Sequence, residues 1–190
     1  MHILFGNKEE HLARRLRDGD SEALKDFYTL YADYLTGVCA RYITNDEDLK
    51  DVFQDSLVHI ISHIQDFKYR GTGSLQAWSR KITVNVALKY LKQRHREEFE
   101  RLKWDVPDEE EDDDPSIRDI PPEVFQQLIR ELPTGYRTVF NLYVFEEKSH
   151  QEIADMLGIK RDSSCSQFCR AKNLLAKKII EYHNSKQHSR

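Results

Sequence analysis

Between Ser149 and Lys178 the chain reads SHQEIADMLGIKRDSSCSQFCRAKNLLAKK, and the reactive residues there are of the kinds that hold phosphate and read base edges. From Gly158 to Lys178 there are six bases and one acid. Lys160, Arg161, Arg170 and Lys172 can neutralise phosphates, and Gln167 and Arg170 carry donor patterns that pair with base edges in a major groove. Ser163, Ser166, Gln167, Arg170, Asn173 and Lys177 are expected to face outward, because Phe168, Ala171, Leu175 and Ile179 mark the inward face at helical spacing. The elements needed to present them are also written locally. Ser149 and Glu152 have capping-box spacing, Gly158 can take the left-handed backbone that stops a helix, and Asp162 is placed to cap the helix that follows. Short capped helix, glycine turn and second amphipathic helix are the requirements of a helix-turn-helix. A plain helical hairpin with a solvated basic face is the bland alternative, and it leaves the coincidence of turn, caps and one-sided charge without a use.

A second group lies in the block 67–96, FKYRGTGSLQAWSRKITVNVALKYLKQRHR, which carries eight bases and no acid. Basic charge interleaved with aromatic rings is what binds single-stranded nucleic acid, the charge following the backbone and a ring stacking an unpaired base. Phe67, Tyr69 and Arg70 flank a glycine-rich break, Gly71-Thr72-Gly73-Ser74, and are the stacking and phosphate candidates. Beyond it a helix is expected, with Ser74 or Thr72 as cap and Leu75, Trp78, Ile82 and Val86 along its apolar side. Lys81, Asn85, Lys89, Lys92 and Arg96 recur along the other side at spacings of 4, 4, 3 and 4. Trp78 lies on the apolar stripe and reads as core; Asn85, with a donor and an acceptor amid the charge, reads equally as a base contact or as an exposed filler residue.

The elements before these blocks follow from periodicity. A turn at Asp18-Gly19-Asp20 precedes a long helix with Ala23, Phe27, Leu30, Tyr31, Tyr34, Leu35, Val38 and Tyr42 on one face. Thr44 and Glu47 have capping-box spacing and open a second helix with Leu49, Val52, Phe53, Leu57, Ile60, Ile64 and Phe67 on its apolar face. After residue 120, Pro121-Pro122 suits a helix start with Phe125, Leu128 and Ile129 buried, Leu132-Pro133 breaks it, and a further helix carries Val139, Phe140, Tyr143 and Val144.

The net charge of −4 over 190 residues is an average of unlike parts. Residues 1–66, 67–96, 97–119 and 120–190 carry −6, +8, −9 and +3. The acidic part contains seven consecutive acids, Asp108 to Asp114, which repel one another and bury nothing, so 97–120 is expected to be a disordered linker with Trp104 packed on a nearby helix. Its 24 residues, fully extended, reach up to ~80 Å, more than two duplex turns of roughly 34 Å each. Two DNA-reading modules could then sit on separated elements at once.

Other classes are disfavoured. No run approaches the ~18 apolar residues of a membrane span, and the three cysteines, Cys39, Cys165 and Cys169, are odd in number without CxxC spacing. A protein of the cytoplasm with reduced thiols is the reading, with Cys165 and Cys169 as buried small residues rather than a redox switch. Asp55, His59 and His63 fall at i, i+4 and i+8 and could in principle hold a metal, but no HExxH arrangement or further ligand cluster accompanies them, so neither enzyme chemistry nor a cofactor is expected.

The order of these features resembles the extracytoplasmic-function class of bacterial sigma factors. EDLKDVFQDSLVHI is similar to that family's polymerase-docking helix, WSRKITVNVALKYLKQRHR to its promoter-melting helix, and LPTGYRTVFNLYVFEEKSHQEIADMLGIKRDSSCSQFCRAKNLL to its C-terminal signature. The resemblance implies an all-α protein of two small helical domains: a region 2-like domain over 1–96, the linker 97–120, and a region 4-like domain over 121–190. It implies core RNA polymerase as a partner through Asp48, Asp51, Gln54 and Asp55, and capture of an unpaired base of the minus-ten element by Phe67 to Ser74 and Asn85. It implies reading of the minus-35 duplex by Lys160, Arg161, Ser163, Ser164, Gln167 and Arg170, and a partner common in the class, an anti-sigma factor. Cys165 stands where relatives commonly carry a base, so the sequence preference for DNA does not transfer. The rival reading is a helix-turn-helix regulator acting without polymerase, which leaves the block 67–96 unused.

Overall fold

The helices begin where an acceptor is supplied for their free amides. Ser21–Tyr42 (α2) starts at Asp20, whose side chain accepts from the Glu22 amide at 2.9 Å. Asp46–Ser62 (α3) starts at Asn45 rather than at the expected Thr44/Glu47 box. Asn45 sits in extended backbone and its side-chain oxygen takes the Glu47 and Asp48 amides at 2.9 and 3.0 Å, so one short amide side chain does the work of the box. α2 is preceded by Ile3–Arg17 (α1), a helix that the apolar start of the chain does not announce; its Leu12, Ala13 and Leu16 are buried.

The computed structural model describes residues 3–95, 97 and 120–188. Almost all of the acidic segment, with Trp104, and Arg96 of the basic stripe lie outside the described residues. Among those described, all regular structure is helical, and no helix is long and apolar enough to cross a membrane. The chain divides into two compact units, Met1–Tyr90 and Leu91–Arg190, the division falling inside the helix Ser74–Arg94 (α4).

In the first unit α3 does not run on to Phe67 as its apolar face suggests. It stops at Ser62, and a 3-10 turn over Ile64–Asp66 carries the chain to Phe67, with Ile64 and Phe67 still buried. Leu12, Ala13 and Leu16 of α1, Ala23, Phe27 and Leu35 of α2, Ile60 of α3, and Ile64, Phe67 and Leu75 make one core. Leu30, expected on the inward face of α2, is 65% exposed. On α4 the buried line is Leu75, Ser79, Thr83, Val84, Ala87, Leu88 and Leu91, whereas Trp78, Ile82 and Val86 are half-buried. Ser79, Thr83 and Ala87 are small, so the helix approaches its surroundings along that line and the bulkier residues flank it.

The second unit contains Pro122–Arg130 (α5), Thr134–Val144 (α6), His150–Leu157 (α7) and Arg161–His188 (α8). Ile120 is buried with Ile129, Leu132, Phe140, Ala171, Leu175 and Ile179, so this core begins at the last residue assigned to the linker. The Arg137 guanidinium donates to the carbonyls of Arg130 and Leu132 at 3.1 and 2.7 Å and closes the end of α5. Lys178 of α8 pairs with Glu131 at 2.7 Å, which holds that carboxyl below its ordinary range. Val139, Phe140 and Leu142 of α6 are buried, and Tyr143 and Val144 are exposed.

The capping box of α7 is complete: Ser149 accepts from the Glu152 amide, and Glu152 accepts from the Ser149 amide at 2.9 Å. Gly158 follows at φ +71 and ψ 36. α8 starts at Arg161, so Asp162 lies within its first turn instead of capping it, where its charge still favours the helix dipole.

Replacing Gly158 by alanine meets no steric contact within 4 Å but forces a side chain into left-handed backbone. We expect a loss of about 1–2 kcal/mol in chemical denaturation. The Ser149 amide and hydroxyl and Lys148 hold the Glu152 carboxyl down at about 2. The stability it contributes is therefore present above the unfolded value of about 4.5 and lost as pH falls toward 2. Glu152→Gln should accordingly lower the melting temperature at pH 7, with the gap to wild type narrowing as pH falls from about 4.5 toward 2, as followed by circular dichroism.

Candidate nucleic-acid interface

The first basic surface is built around α1. Its Arg17 guanidinium donates to the carbonyls of Ile64 and Phe67 and lies 5.9 Å from the Phe67 ring centroid, while Gln65 donates to the Arg17 carbonyl at 2.9 Å. Eight residues earlier on the same helix, Glu9 reaches the other end of the loop, accepting from the amides of Gly73 at 2.8 Å and Gln76 at 3.3 Å. The expected caps Thr72 and Ser74 do not fill this role; Ser74 instead accepts from the Arg70 amide at 3.3 Å. Tyr31 donates to Glu9 at 3.1 Å, and burial with that carboxylate pushes its phenol upward.

The loop so held presents Lys68 and Arg70 to solvent with Tyr69 half-buried. A hollow of about 530 Å³ beside it is lined by Glu10, Ala13, Arg14, Arg17, Gln65, Phe67, Lys68 and Tyr69, so one carboxylate stands among its cations. Phe67 is 2% exposed and packs on Trp78 with ring centroids 5.4 Å apart, so it belongs to the core and is not a free stacking platform. Tyr69 is half-buried and packs against the edge of the same core. Beyond the loop, Lys81, Asn85 and Lys89 are exposed at successive turns of α4 and Lys92 is half-buried. Arg14 and Arg17 were legible only as bases near the apolar residues Leu12 and Leu16, with no signal pairing them to residues fifty positions away.

On α3, Asp51, Gln54 and Asp55 are exposed and Asp48 half-buried. The same face carries Val58, 67% exposed, and Tyr28 of α2 is 52% exposed and packs edge-on to Phe53 at 6.2 Å. Val58 falls off the buried line of Val52, Ser56 and Ile60, and that mismatch was its signal in the sequence. His59 and His63 stack at 5.8 Å, but His63 directs Nδ1 to the His59 carbonyl at 2.9 Å. Among the described residues no group of three or more His, Cys, Asp and Glu side chains is placed to hold a metal.

The second basic surface is the start of α8. Lys160, Arg161 and Lys172 are exposed and Arg170 is half-buried. The expected outward facing fails for Ser163, Ser166 and Gln167, which are buried, as is Ser164. Ser164 and Gln167 continue the line of Phe168, Ala171 and Leu175 back toward the turn, and small or polar residues there hid the continuation. Ser164 contacts Nδ1 of His150 at 3.0 Å and Ser166 donates to the Asp162 carbonyl at 2.9 Å. Tyr143 stacks on His150 at 4.7 Å and meets Phe168 at 4.4 Å, fixing α8 against α6 and α7. Burial, with the charge of Arg161 second, lowers the His150 value and keeps its ring neutral. Cys169 is exposed and Cys165 half-buried, not the buried pair expected, whereas Cys39 is buried and its thiol pushed up to about 11.

These placements separate two substitutions next to one another. Phe67→Ala should cost about 3–5 kcal/mol of stability through loss of a buried ring. Tyr69→Ala, which removes a half-buried ring at the edge of that core, should cost less stability than Phe67→Ala and weaken single-strand binding by about 1–3 kcal/mol. Paired denaturation and fluorescence-anisotropy measurements check both.

Comparison with known proteins agrees with this arrangement. Residues 27–97 match the family model for sigma-70 region 2, and residues 123–175 match that for sigma-70 region 4. The chain is similar to the RNA polymerase sigma-H factor of Pseudomonas aeruginosa, 24% identical and covering 93% of this chain and 96% of that protein. It is also similar to the ECF RNA polymerase sigma-E factor of Haemophilus influenzae, 25% identical over 90% of this chain and 95% of that one. Among solved structures, the sigma factor RpoE of Bartonella quintana, determined in complex with the anti-sigma factor NepR, matches in fold with a TM-score of 0.50 at 18% identity, covering 82% of this chain and 96% of that chain. With a region 2 helical unit ahead of a region 4 helix-turn-helix, and relatives matched over nearly their whole lengths, the chain belongs to the extracytoplasmic-function sigma factors of bacterial RNA polymerase.

Proposed function

We propose that the chain binds core RNA polymerase and directs initiation at specific promoters, gripping duplex DNA at the minus-35 element and opening the minus-ten element. The observation that carries this reading is the presence of two exposed basic surfaces on two separate units, one of them built around a loop with a ring and phosphate-binding cations.

In this reading Lys160, Arg161 and Lys172, with Arg170 at the edge, hold the phosphates and bases of the minus-35 duplex. Ser163, Ser164, Ser166 and Gln167 act mainly by seating α8, since all four are buried. Lys68, Tyr69 and Arg70, with Arg14 and Arg17, take one displaced nucleotide. Lys81, Asn85 and Lys89 line the path of the strand. Asp48, Asp51, Gln54 and Asp55 form the polymerase contact, supported by the exposed Val58 and Tyr28 on the same side, an apolar centre within a polar rim.

Residues 1–96 then form the docking and melting domain, 120–190 the duplex reader, with Ile120 in its core, and 97–119 an acidic tether that avoids DNA and lets both grips engage. The role is non-catalytic and belongs to the cytoplasm, where polymerase and chromosome are, with an anti-sigma factor as the restraining partner.

Reconstitution with core polymerase tests the reading. Promoter-dependent transcripts should appear, and DNA binding without polymerase association would sink it. Lys172→Ala should weaken duplex binding similarly across sequences and reduce the slope of log affinity against log salt by about 0.9. Asn85→Ala should leave duplex affinity unchanged and reduce strand opening, read by permanganate reactivity.

A further inference from the structure

Glu9 is only 8% exposed, and its carboxylate is met by N–H and O–H donors rather than by a cation: the Gly73 and Gln76 amides and the Tyr31 hydroxyl. A carboxylate withdrawn from water is costly unless its lone pairs are used and opposite charge is near. Here the positive end of the α4 dipole and its free amides meet that need, so Glu9 serves as the cap of a helix 65 residues away in the chain. Arg17, two turns along α1, does the converse at the other end of the loop by donating to the Ile64 and Phe67 carbonyls.

The segment between these anchors is Lys68 to Thr72. It contains Gly71 at φ +120 and is followed by Gly73 at φ +87. A loop rich in such backbone has many conformations open to it when free, and a reader that adapts to every base discriminates none. Held at both ends it offers Tyr69, its amides and its cations in one arrangement. Glu9 itself faces a second hollow, on the other side of α1, bounded by Thr72, Gly73 and Gln76. It therefore acts on the loop's geometry and not on DNA.

We propose that Glu9 is a positioning residue for base recognition: by capping α4 through the Gly73 and Gln76 amides it sets the shape of the Lys68–Thr72 loop, and with it which unpaired base is accepted. The inference rests on reading that loop as the strand-capture site. A merely structural role would lower the melting temperature and depress all four bases alike, leaving their ratio unchanged.

The test uses the full chain with core polymerase on four promoters that differ only in the non-template base of the minus-ten element nearest Tyr69 by crosslinking. Heparin-resistant complexes give the preference ratio. Glu9→Ala is expected to bring that ratio to within twofold of unity, with core affinity and minus-35 duplex affinity within twofold of wild type. Glu9→Gln, which keeps one acceptor oxygen, is expected to fall between. Tyr69→Ala reports on the parent reading: full preference in that variant overturns the capture loop itself. Preference lost in Tyr69→Ala but fully retained in both Glu9 variants overturns the role of Glu9 alone. If Glu9→Ala does not fold by circular dichroism, Glu9→Gln decides, and a wild-type ratio at a lowered melting temperature counts against the proposal.

Discussion

A carboxylate at the start of a helix is among the cheaper ways to compensate a buried charge, because four amides there have no partner within the helix and the dipole points the right way. Glu9 uses this at the start of α4, accepting from the Gly73 and Gln76 amides. Through it α1 is bonded to the loop before α4, while Leu12, Ala13 and Leu16 of the same helix enter the core with Phe27, Leu35 and Ile60. One helix thus fixes the core and the exposed loop together. The basic face of Lys81, Asn85 and Lys89 lies opposite the buried line of Leu75, Ser79, Thr83, Ala87 and Leu91, which sets the rotation of α4 about its axis.

The second unit solves a similar problem with rings. A recognition helix has to hold its orientation while its outer face stays polar, so the rigidity comes from behind. His150 is stacked by Tyr143 and hydrogen-bonded to Ser164, and Phe168 lies between Tyr143 and Phe140. The neutral ring suits this packed position, where a second charge next to Arg161 would be unfavourable. The capping box and Gly158 then set the angle at which α7 hands the chain to α8. Ser163 and Ser164, just after that turn, are buried.

Much of the fold was legible because periodicity and turn chemistry are local. Ser149, Glu152 and Gly158 lie within ten residues of one another and act on the same backbone, so their roles could be read directly. Phe27, Leu35, Ile60, Ala171 and Leu175 were legible for the same reason, as members of apolar stripes. Facing was harder wherever the buried side was not apolar. Ser79, Thr83, Ser164 and Gln167 carry no hydrophobic signal, yet each lies on a buried line. Phe67 misled in the opposite sense, because a ring beside a basic glycine-rich loop suits stacking on a base as well as stacking on Trp78.

By itself the amino-acid sequence determined an all-helical chain, the helix-turn-helix, the basic and acidic blocks and the resemblance to a sigma factor, since each is a matter of spacing and charge along a short stretch. Only the tertiary structure decided what holds the exposed loop and which cations surround it. Glu9 meets Gly73 across 64 residues and Arg17 meets Phe67 across 50, and no local pattern encodes such a pairing. The same holds for the recognition helix, where Lys160, Arg161 and Lys172 stay outside, the serines and Gln167 are buried, and Ser164 meets His150 of α7. A side chain's identity limits the chemistry it can do, but whether it faces solvent depends on which neighbours the fold brings to the other side of its helix.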